Sequence, residues 1–540
     1  MADVVVIGAG HNGLVAATLL ARAGLAVEVL ERADVIGGAC RTERPFAGAP
    51  ELGASTGAYL LGPMQPELIR MLGLRIPEDL PLVRRDPHYF MPTTNGRYLL
   101  LGADSAANAR QFTEFFTAAD WRAQQALSAE LSALASDLAP AWLQPPAPLA
   151  ETAERHIRPS LRQKFLSLVR GSAIDYLTGF GFASELLVAM YAVTDGMPGL
   201  TGSPWAPGSG HNLLVHNMCR LPGADGTWMV VRGGMGTVTS SLAEVAAAAG
   251  ARIRTGVTVS GIAVEGGAAR GVVVDSPAAR GGTVSGGAGD GELVPARVVL
   301  AATDPYRLVG MLGGACPPAL RSLVDGFAEA SRGQTLKVNL ALSGLPRFVA
   351  LPEPVGQHST TVHLMPPPAA DGSVLSAVRA AFEAASEGRS DPLPPIEWYL
   401  HSVLDPGLRD SSGRHSSAFF VQGVPHVPAG SSWDAEKNRY VDRLLDFAET
   451  YAPGLSSLVV DVDALAPPDI EARFGITGGN IFHVDNKISF TDRMPYRVGV
   501  DGVYAGAAGC FPAGSVIGCA GHNAAQAILA DLDLPPASTP

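Results

Sequence analysis

The sequence predicts an α/β protein: a parallel sheet flanked by helices, assembled from distant chain segments, with an α+β domain inserted between them. Three observations predict it. A β-branched run at residues 3–7 leads straight into a glycine turn and an Ala/Leu-rich helix. Two later stretches, residues 227–262 and 501–529, repeat the pairing of a glycine-rich run with a helix. The segments between them have a different composition, with helical patterns and loops rich in Pro and aromatic residues. At 540 residues the chain exceeds what one core usually serves, so two domains are expected.

The opening run "DVVVI" has the continuous β-branched character of a buried parallel strand. Gly8-Ala9-Gly10-His11-Asn12-Gly13 then matches G-x-G-x-x-G. Residues 14–23 read as a helix stopped by Gly24, and residues 26–30 as a second strand closed by Glu31. In this Rossmann-type fingerprint, Gly8 makes the turn and Gly10 lets a diphosphate approach the backbone. Gly13 packs helix on strand, and Glu31 takes the ribose hydroxyls. The helix N-terminus offers unpaired N–H groups and a positive dipole end to the diphosphate.

Directly after Glu31 comes "RADVIGGACRTE", with a second glycine pair, Gly37-Gly38, followed by Arg41. This run resembles the extension in flavoproteins of the glutathione-reductase structural class, in the amine oxidase and phytoene desaturase branch. The C-terminal stretch "DGVYAGAAGCFPAGSVIGCAGHNAAQAIL" resembles the flavin motif of phytoene desaturase-like oxidoreductases, reading as strand, glycine loop and helix. The wording "GAGHNGL", "RGGMG" and "GGNIFHVD" is similar to the branch called phytoene dehydrogenase-like or pyridine nucleotide-disulfide oxidoreductase domain-containing protein 2.

The resemblance implies a Rossmann-type FAD-binding domain with an inserted α+β substrate domain. It implies FAD contacts from Gly8, Gly10, Asn12, Gly13, Glu31, Arg32, Gly38, Ala39, Arg41, Val257, Gly509, Ser515 and Val516. One departure matters. The family often has His-Pro-Gly-Gly-Gly where this chain reads Phe511-Pro512-Ala513-Gly514-Ser515, so chemistry attached to that histidine does not transfer.

In the middle of the chain, Gly233–Gly236 precedes an amphipathic helix to Ala249, a Gly250 stop and a strand at residues 253–259. The resemblance places the adenine beside backbone groups near Val257. The glycine run lacks a helix-opening G-x-G-x-x-G and a closing acid, so it reads as a turn rather than a second nucleotide site. Residues 264–274 and 293–302 read as strands, joined by a Gly/Ser-rich mobile surface loop at 275–292. The FAD domain is expected at 1–80, 225–303 and 465–540, and the substrate domain at 81–224 and 304–464.

For the chemistry, His483 in "GGNIFHVDNK" is the candidate catalytic residue, since the resembling branch brings a similar run towards the flavin. His11, His211 and His216 read as local or pocket-wall histidines. Lys487 invites comparison with the lysine that holds a water near flavin N5 in amine oxidases, although a solvated lysine fits its surroundings better. Tyr176, Trp205, Trp228, Phe482 and Phe511 are candidates for an apolar substrate cavity, or ordinary core. Asp391, Glu397 and Asp405 have no paired spacing. No metal site, G-x-S-x-G or P-loop is present in the sequence.

A formal charge of −12 and a pI near 5.5 argue against nucleic acid. Five dispersed cysteines without a CxxC fit a reducing, cytoplasmic setting and disfavour a dithiol reductase. No apolar run spans a bilayer, and no basic amphipathic helix supports more than peripheral membrane contact. A homo-oligomer stays open.

The resemblance implies an FAD-dependent oxidoreductase, of desaturase or dehydrogenase type. It would move a hydride from an apolar or amphipathic small molecule to flavin, with oxygen or a quinone as electron acceptor. The alternatives are amine oxidase-like C–N oxidation, a redox-neutral flavin isomerase, and a non-catalytic flavin-binding scaffold.

Overall fold

The computed structural model describes residues 2–537 apart from 198, 200 and 276–290. The loop expected at 275–292 therefore lies almost wholly outside the described residues.

The opening strand, Ala2–Ile7, is central to a seven-stranded sheet. On one side it pairs in parallel with Val27–Leu30, which pairs with Arg252–Arg254. On the other it pairs in parallel with Glu292–Ala301, in register Val4 with Val298 and Ile7 with Ala301. Val503–Ala505, from the end of the chain, adds a further parallel strand against Val299–Ala301. The strand Glu292–Ala301 serves two ladders. Its first residues pair antiparallel with Ala268–Val274, where its burial alternates, and its last four are all buried, as a strand covered on both faces requires.

Two strand expectations change. The strand expected at 253–259 stops at Arg254 and a new one starts at Val259. Gly256 is left-handed there, and the N–H groups of Gly256 and Val257 are taken by Ala33 O and Glu31 O, both at 2.8 Å, rather than by a ladder. The strand expected at 264–274 is half of an antiparallel hairpin, Val259–Glu265 with Ala268–Val274. Gly266 and Gly267 both have positive φ, as a tight two-residue hairpin turn demands.

The fingerprint helix, His11–Arg22, is buried from Asn12 to Ala21. It packs on Gly236–Ala248 and on the C-terminal helix Cys519–Asp531. At the second crossing a Cβ on Gly521 would lie 2.0 Å from Asn12 O, so only glycine allows this approach. Gly521 N also donates to Asn12 Oδ1 at 3.2 Å, joining the two ends of the chain.

A second seven-stranded sheet runs in the order Val459–Leu465, Thr335–Leu342, His415–Gln422, Ile396–Tyr399, Thr361–Leu364, Tyr89–Pro92, Tyr98–Leu101. It is antiparallel except where Thr361–Leu364 lies parallel to Tyr89–Pro92. Strands from both sides of residues 225–303 thus share one sheet, over a core that includes Phe90, Phe348, Trp398 and Phe419. The helices between residues 105 and 216 pack instead into the core of the first sheet. One of them, Ala118–Leu138, opens with a capping box between Thr117 and Asp120. Among the described residues no helix is long and apolar enough to cross a membrane.

Candidate cofactor and substrate cavity

A cavity of about 510 Å3 opens at the carboxyl ends of the central parallel strands and continues beneath the second sheet. Its size lies within the range of small-molecule and cofactor sites. Gly8, Gly10, Asn12, Gly13, Glu31, Arg32, Gly38, Ala39, Arg41, Val257, Ser515, Val516 and His483 all line it.

The glycines test whether this wall fits a dinucleotide. Gly8 turns the chain at φ +102°. A Cβ on Gly13 would stand 2.2 Å from Gly8 O, so the helix can sit this close to the strand only without a side chain. A Cβ on Gly10 would meet nothing within 4 Å: the space in front of the helix N-terminus is open. Glu31 closes the second strand and is fixed by Ala9 N donating to Oε2 and Ala33 N to Oε1, each at 2.9 Å. Gly37 N donates to Ala9 O at 2.9 Å, which brings the second glycine pair alongside the first turn. The arrangement is the open, N–H-rich cradle that a diphosphate needs.

Arg41 is buried, with Glu43 at 3.4 Å, Arg473 O at 3.0 Å and the Phe474 ring centroid at 5.0 Å. Arg32 lies against Gly475, where a Cβ would be 2.8 Å from its Nη2.

On the C-terminal side, Ser515 is held at φ +153° and Gly518 at +81°, just ahead of the helix Cys519–Asp531. Gly509 does not reach the cavity, and Ala507 and Ala508 line the wall instead. A Cβ on Gly509 would lie 3.0 Å from Pro305, and its carbonyl accepts from Met494 N at 3.2 Å, so it serves packing between loops. The run at Gly233–Gly236 is a helix start. Asp405, Ser55 and Thr42 side chains accept from Gly234, Met235 and Gly236 N, each at 3.0 Å, leaving those N–H groups unavailable to an anion.

His483 sits at φ +64°, its N–H donating to Asn480 O at 2.8 Å, and its Nδ1 is buried without a hydrogen-bond partner among the described residues. Burial lowers its pKa, the Asp304 carboxylate opposing. Beside it His11, also in the wall, has an Nε2 with no hydrogen-bond partner among the described residues; burial and then the His483 charge push its pKa down to about 4. Both imidazoles are therefore neutral near pH 7.

The remaining candidates divide. His216 lines the cavity against Trp228, ring centroids 4.6 Å apart, whereas buried His211 holds Asn486 O at 2.7 Å outside it. Lys487 is not in the cavity; its ammonium is bound to Thr201 O and lies 3.3 Å from Asp485. Trp228 and Phe482 line the wall. Tyr176 donates instead to Glu130 at 3.0 Å, Trp205 stacks under Arg379 and Phe511 packs on Phe490. Asp391 pairs with Arg443 on the surface.

Residues that the sequence reading missed come from the second sheet and its approaches: Tyr59, Arg85, Tyr89, Lys337 and Tyr399. Lys337 Nζ donates to Ser55 O and Gly57 O at 2.5 Å and lies 4.4 Å from the Tyr59 ring centroid. Burial drives its ammonium pKa well below the usual lysine value. A signal existed, a single lysine inside the apolar strand "TLKVNLAL". Glu397 is buried and hydrogen-bonded to Tyr399, and its pKa is pushed up to about 8 by burial. All five cysteines are free and buried; burial pushes the cavity-lining Cys40 thiol up to about 12. Among the described residues no group of His, Cys, Asp and Glu is placed to hold a metal ion.

Residues 13–323 match the family described as flavin containing amine oxidoreductase. The chain is 35% identical to mouse pyridine nucleotide-disulfide oxidoreductase domain-containing protein 2, over 98% of this chain and 94% of that one. It is 26% identical to the hydroxyneurosporene desaturase of Cereibacter sphaeroides, over 98% of each. A structure of putrescine oxidase bound to putrescine shares the fold at a TM-score of 0.57 and 17% identity, covering 98% of this chain and 99% of that one. In the present chain the glycine turn, Glu31 and the loop ahead of Cys519–Asp531 converge on one cavity, and the chain belongs to the flavin-containing amine oxidoreductase family, with FAD as its cofactor.

Proposed function

We propose that this protein is an FAD-dependent dehydrogenase of desaturase type, acting on a C–H bond of an amphipathic small molecule. The observation that carries the reading is the continuity of the cavity from Gly10 and Glu31 to the phenol-lined space under the second sheet. FAD supplies the two-electron acceptor when bound. The N-terminus of His11–Arg22 faces the diphosphate, Glu31 the ribose, and Val257 the adenine side. Tyr59, Trp228 and Phe420 hold the substrate body and exclude water. His483, neutral and with a free ring nitrogen, accepts a hydrogen bond or a proton at Nδ1. The electron acceptor is oxygen or a quinone. The hydroxyneurosporene desaturase relative supports the C–C reading.

A second reading, oxidation of a C–N bond, is favoured by Lys337. The amine oxidase resemblance asks for a lysine at the cavity, and Lys337 rather than Lys487 is there. Anaerobic addition of candidate compounds to the purified yellow protein separates the two. Bleaching by an alkene precursor or alcohol, with amines inert, supports the dehydrogenase; bleaching by amines alone supports the second reading. A colourless protein that cannot be reconstituted with FAD overturns both.

A further inference from the structure

One buried cation of the cavity is left unexplained by the dinucleotide. Arg85 lines the wall on the side of the second sheet and is 4% exposed. Its Nε donates to Trp228 O at 2.8 Å, and its Nη1 to Thr361 Oγ1 at 2.6 Å and to His88 O at 3.4 Å. Every partner is neutral. Among the described residues Nη2 donates no hydrogen bond, and no carboxylate forms an ion pair with the guanidinium.

The other wall arginines are placed differently. Arg41, Arg307 and Arg473 face Glu43, Asp304 and Asp463 at 3.4, 3.3 and 2.8 Å, and Arg32 belongs to the dinucleotide end. The buried acids on Arg85's side do not pair with it. Asp195 is held by Tyr89 at 3.2 Å and Asn217 at 3.3 Å. Glu397, bonded to Tyr399 through one oxygen and with its Oε1 unpartnered among the described residues, feels the Arg85 charge but is kept protonated near neutral pH by burial. A buried guanidinium without a counter-charge is costly, and folds keep one where a ligand completes it.

We propose that Arg85 binds the carboxylate of an amphipathic acid, anchoring its head beneath the second sheet while the hydrocarbon body extends towards the cofactor. This rests on the dehydrogenase reading for its place in a reaction, though not for binding itself. The unused Nη2 edge suits a carboxylate oxygen, and Thr361 and the phenols of Tyr59 and Tyr399 supply uncharged surroundings for it. One permanent cation matches one negative charge, which favours a carboxylate over a phosphate dianion. A protonated amine would be repelled.

The test is calorimetric titration of the FAD-loaded protein with octanoate, octanamide, octan-1-ol and octylamine. Octanoate is expected to bind about tenfold or more tighter than the amide, the scale of a charge-assisted hydrogen bond. Arg85→Gln is expected to abolish that preference and Arg85→Lys to keep part of it, with circular dichroism and flavin absorbance unchanged. If Arg85→Gln does not fold, the wild-type ranking and Arg85→Lys decide. Octylamine binding tightest, no octanoate binding, or an undiminished preference in folded Arg85→Gln overturns the proposal. A carboxylate preference in a protein whose flavin no substrate reduces would retain this assignment and reject the dehydrogenase.

Discussion

Gly13 and Gly10 share a motif yet do opposite things, and single substitutions separate them. A Cβ at residue 13 would meet a backbone oxygen at 2.2 Å, so Gly13→Ala must push helix from strand. It is expected to cost about 1–3 kcal/mol, the range for overpacking. A lower melting temperature together with reduced FAD content measures it. A Cβ at residue 10 meets only open cavity, so Gly10→Ala is expected to leave the apoprotein's melting temperature nearly unchanged and to weaken FAD binding. Titration of apoprotein with FAD reads that difference.

Protonation is also argued at the residue scale. His11 has a folded pKa of about 4 against an ordinary value of 6.5, so the unfolded chain binds the extra proton first. Its contribution to stability is present above pH 6.5 and is lost as pH falls from 6.5 to 4, by at most about 1.4 kcal/mol per pH unit. Glu397 has the opposite sign. Its folded pKa of about 8 lies above the ordinary 4.5, so its contribution is fullest below pH 4.5 and is lost as pH rises to 8. Glu397→Gln should therefore remove the part of the stability loss that falls between pH 4.5 and 8 in a melting-temperature profile, and leave the slopes below pH 4.5 and above pH 8 as in wild type.

Elements meet where their residues are smallest. The fingerprint helix and the C-terminal helix touch through Gly521, whose Cβ would lie 2.0 Å from Asn12 O. Gly521→Val is expected to separate these helices and lower the melting temperature and FAD retention together, although residue 521 is absent from the cavity wall. Loss of stability with unchanged FAD affinity would refute that coupling. The elements themselves were legible wherever period and punctuation agreed: the strands Ala2–Ile7 and Val503–Ala505 stand where the pattern puts them. The strand expected through residues 253–259 breaks because Gly256 turns left-handed and its neighbour bonds to Glu31, a pairing across more than 200 residues of chain.

At the scale of the whole molecule, residues from both ends of the chain and from both sheets close around one cavity. A ligand that bridges them stabilises the native state by mass action. Removing FAD should lower the melting temperature, and FAD at 100 times its Kd should restore about 2.7 kcal/mol. Differential scanning calorimetry of apo and reconstituted protein checks this.

What the sequence alone determined is the dinucleotide wall. G-x-G-x-x-G, Glu31 and Gly37-Gly38 all fall within one strand–helix–strand unit and the turn after it, residues 2–38, so short-range geometry settles where they go. The opposite wall was decided only by tertiary structure. Arg85, Lys337 and Tyr399 come from separate segments, and each, read in its own stretch, is an isolated polar residue. Strand pairing through His415–Gln422 brings Lys337 and Tyr399 to one sheet, Arg85 joins them from the connection between Leu82–Val83 and Tyr89–Pro92, and burial sets their chemistry by removing the water that would level charge. Gly509 shows the converse: its motif suggested a cofactor contact, and packing on Pro305 turned it away.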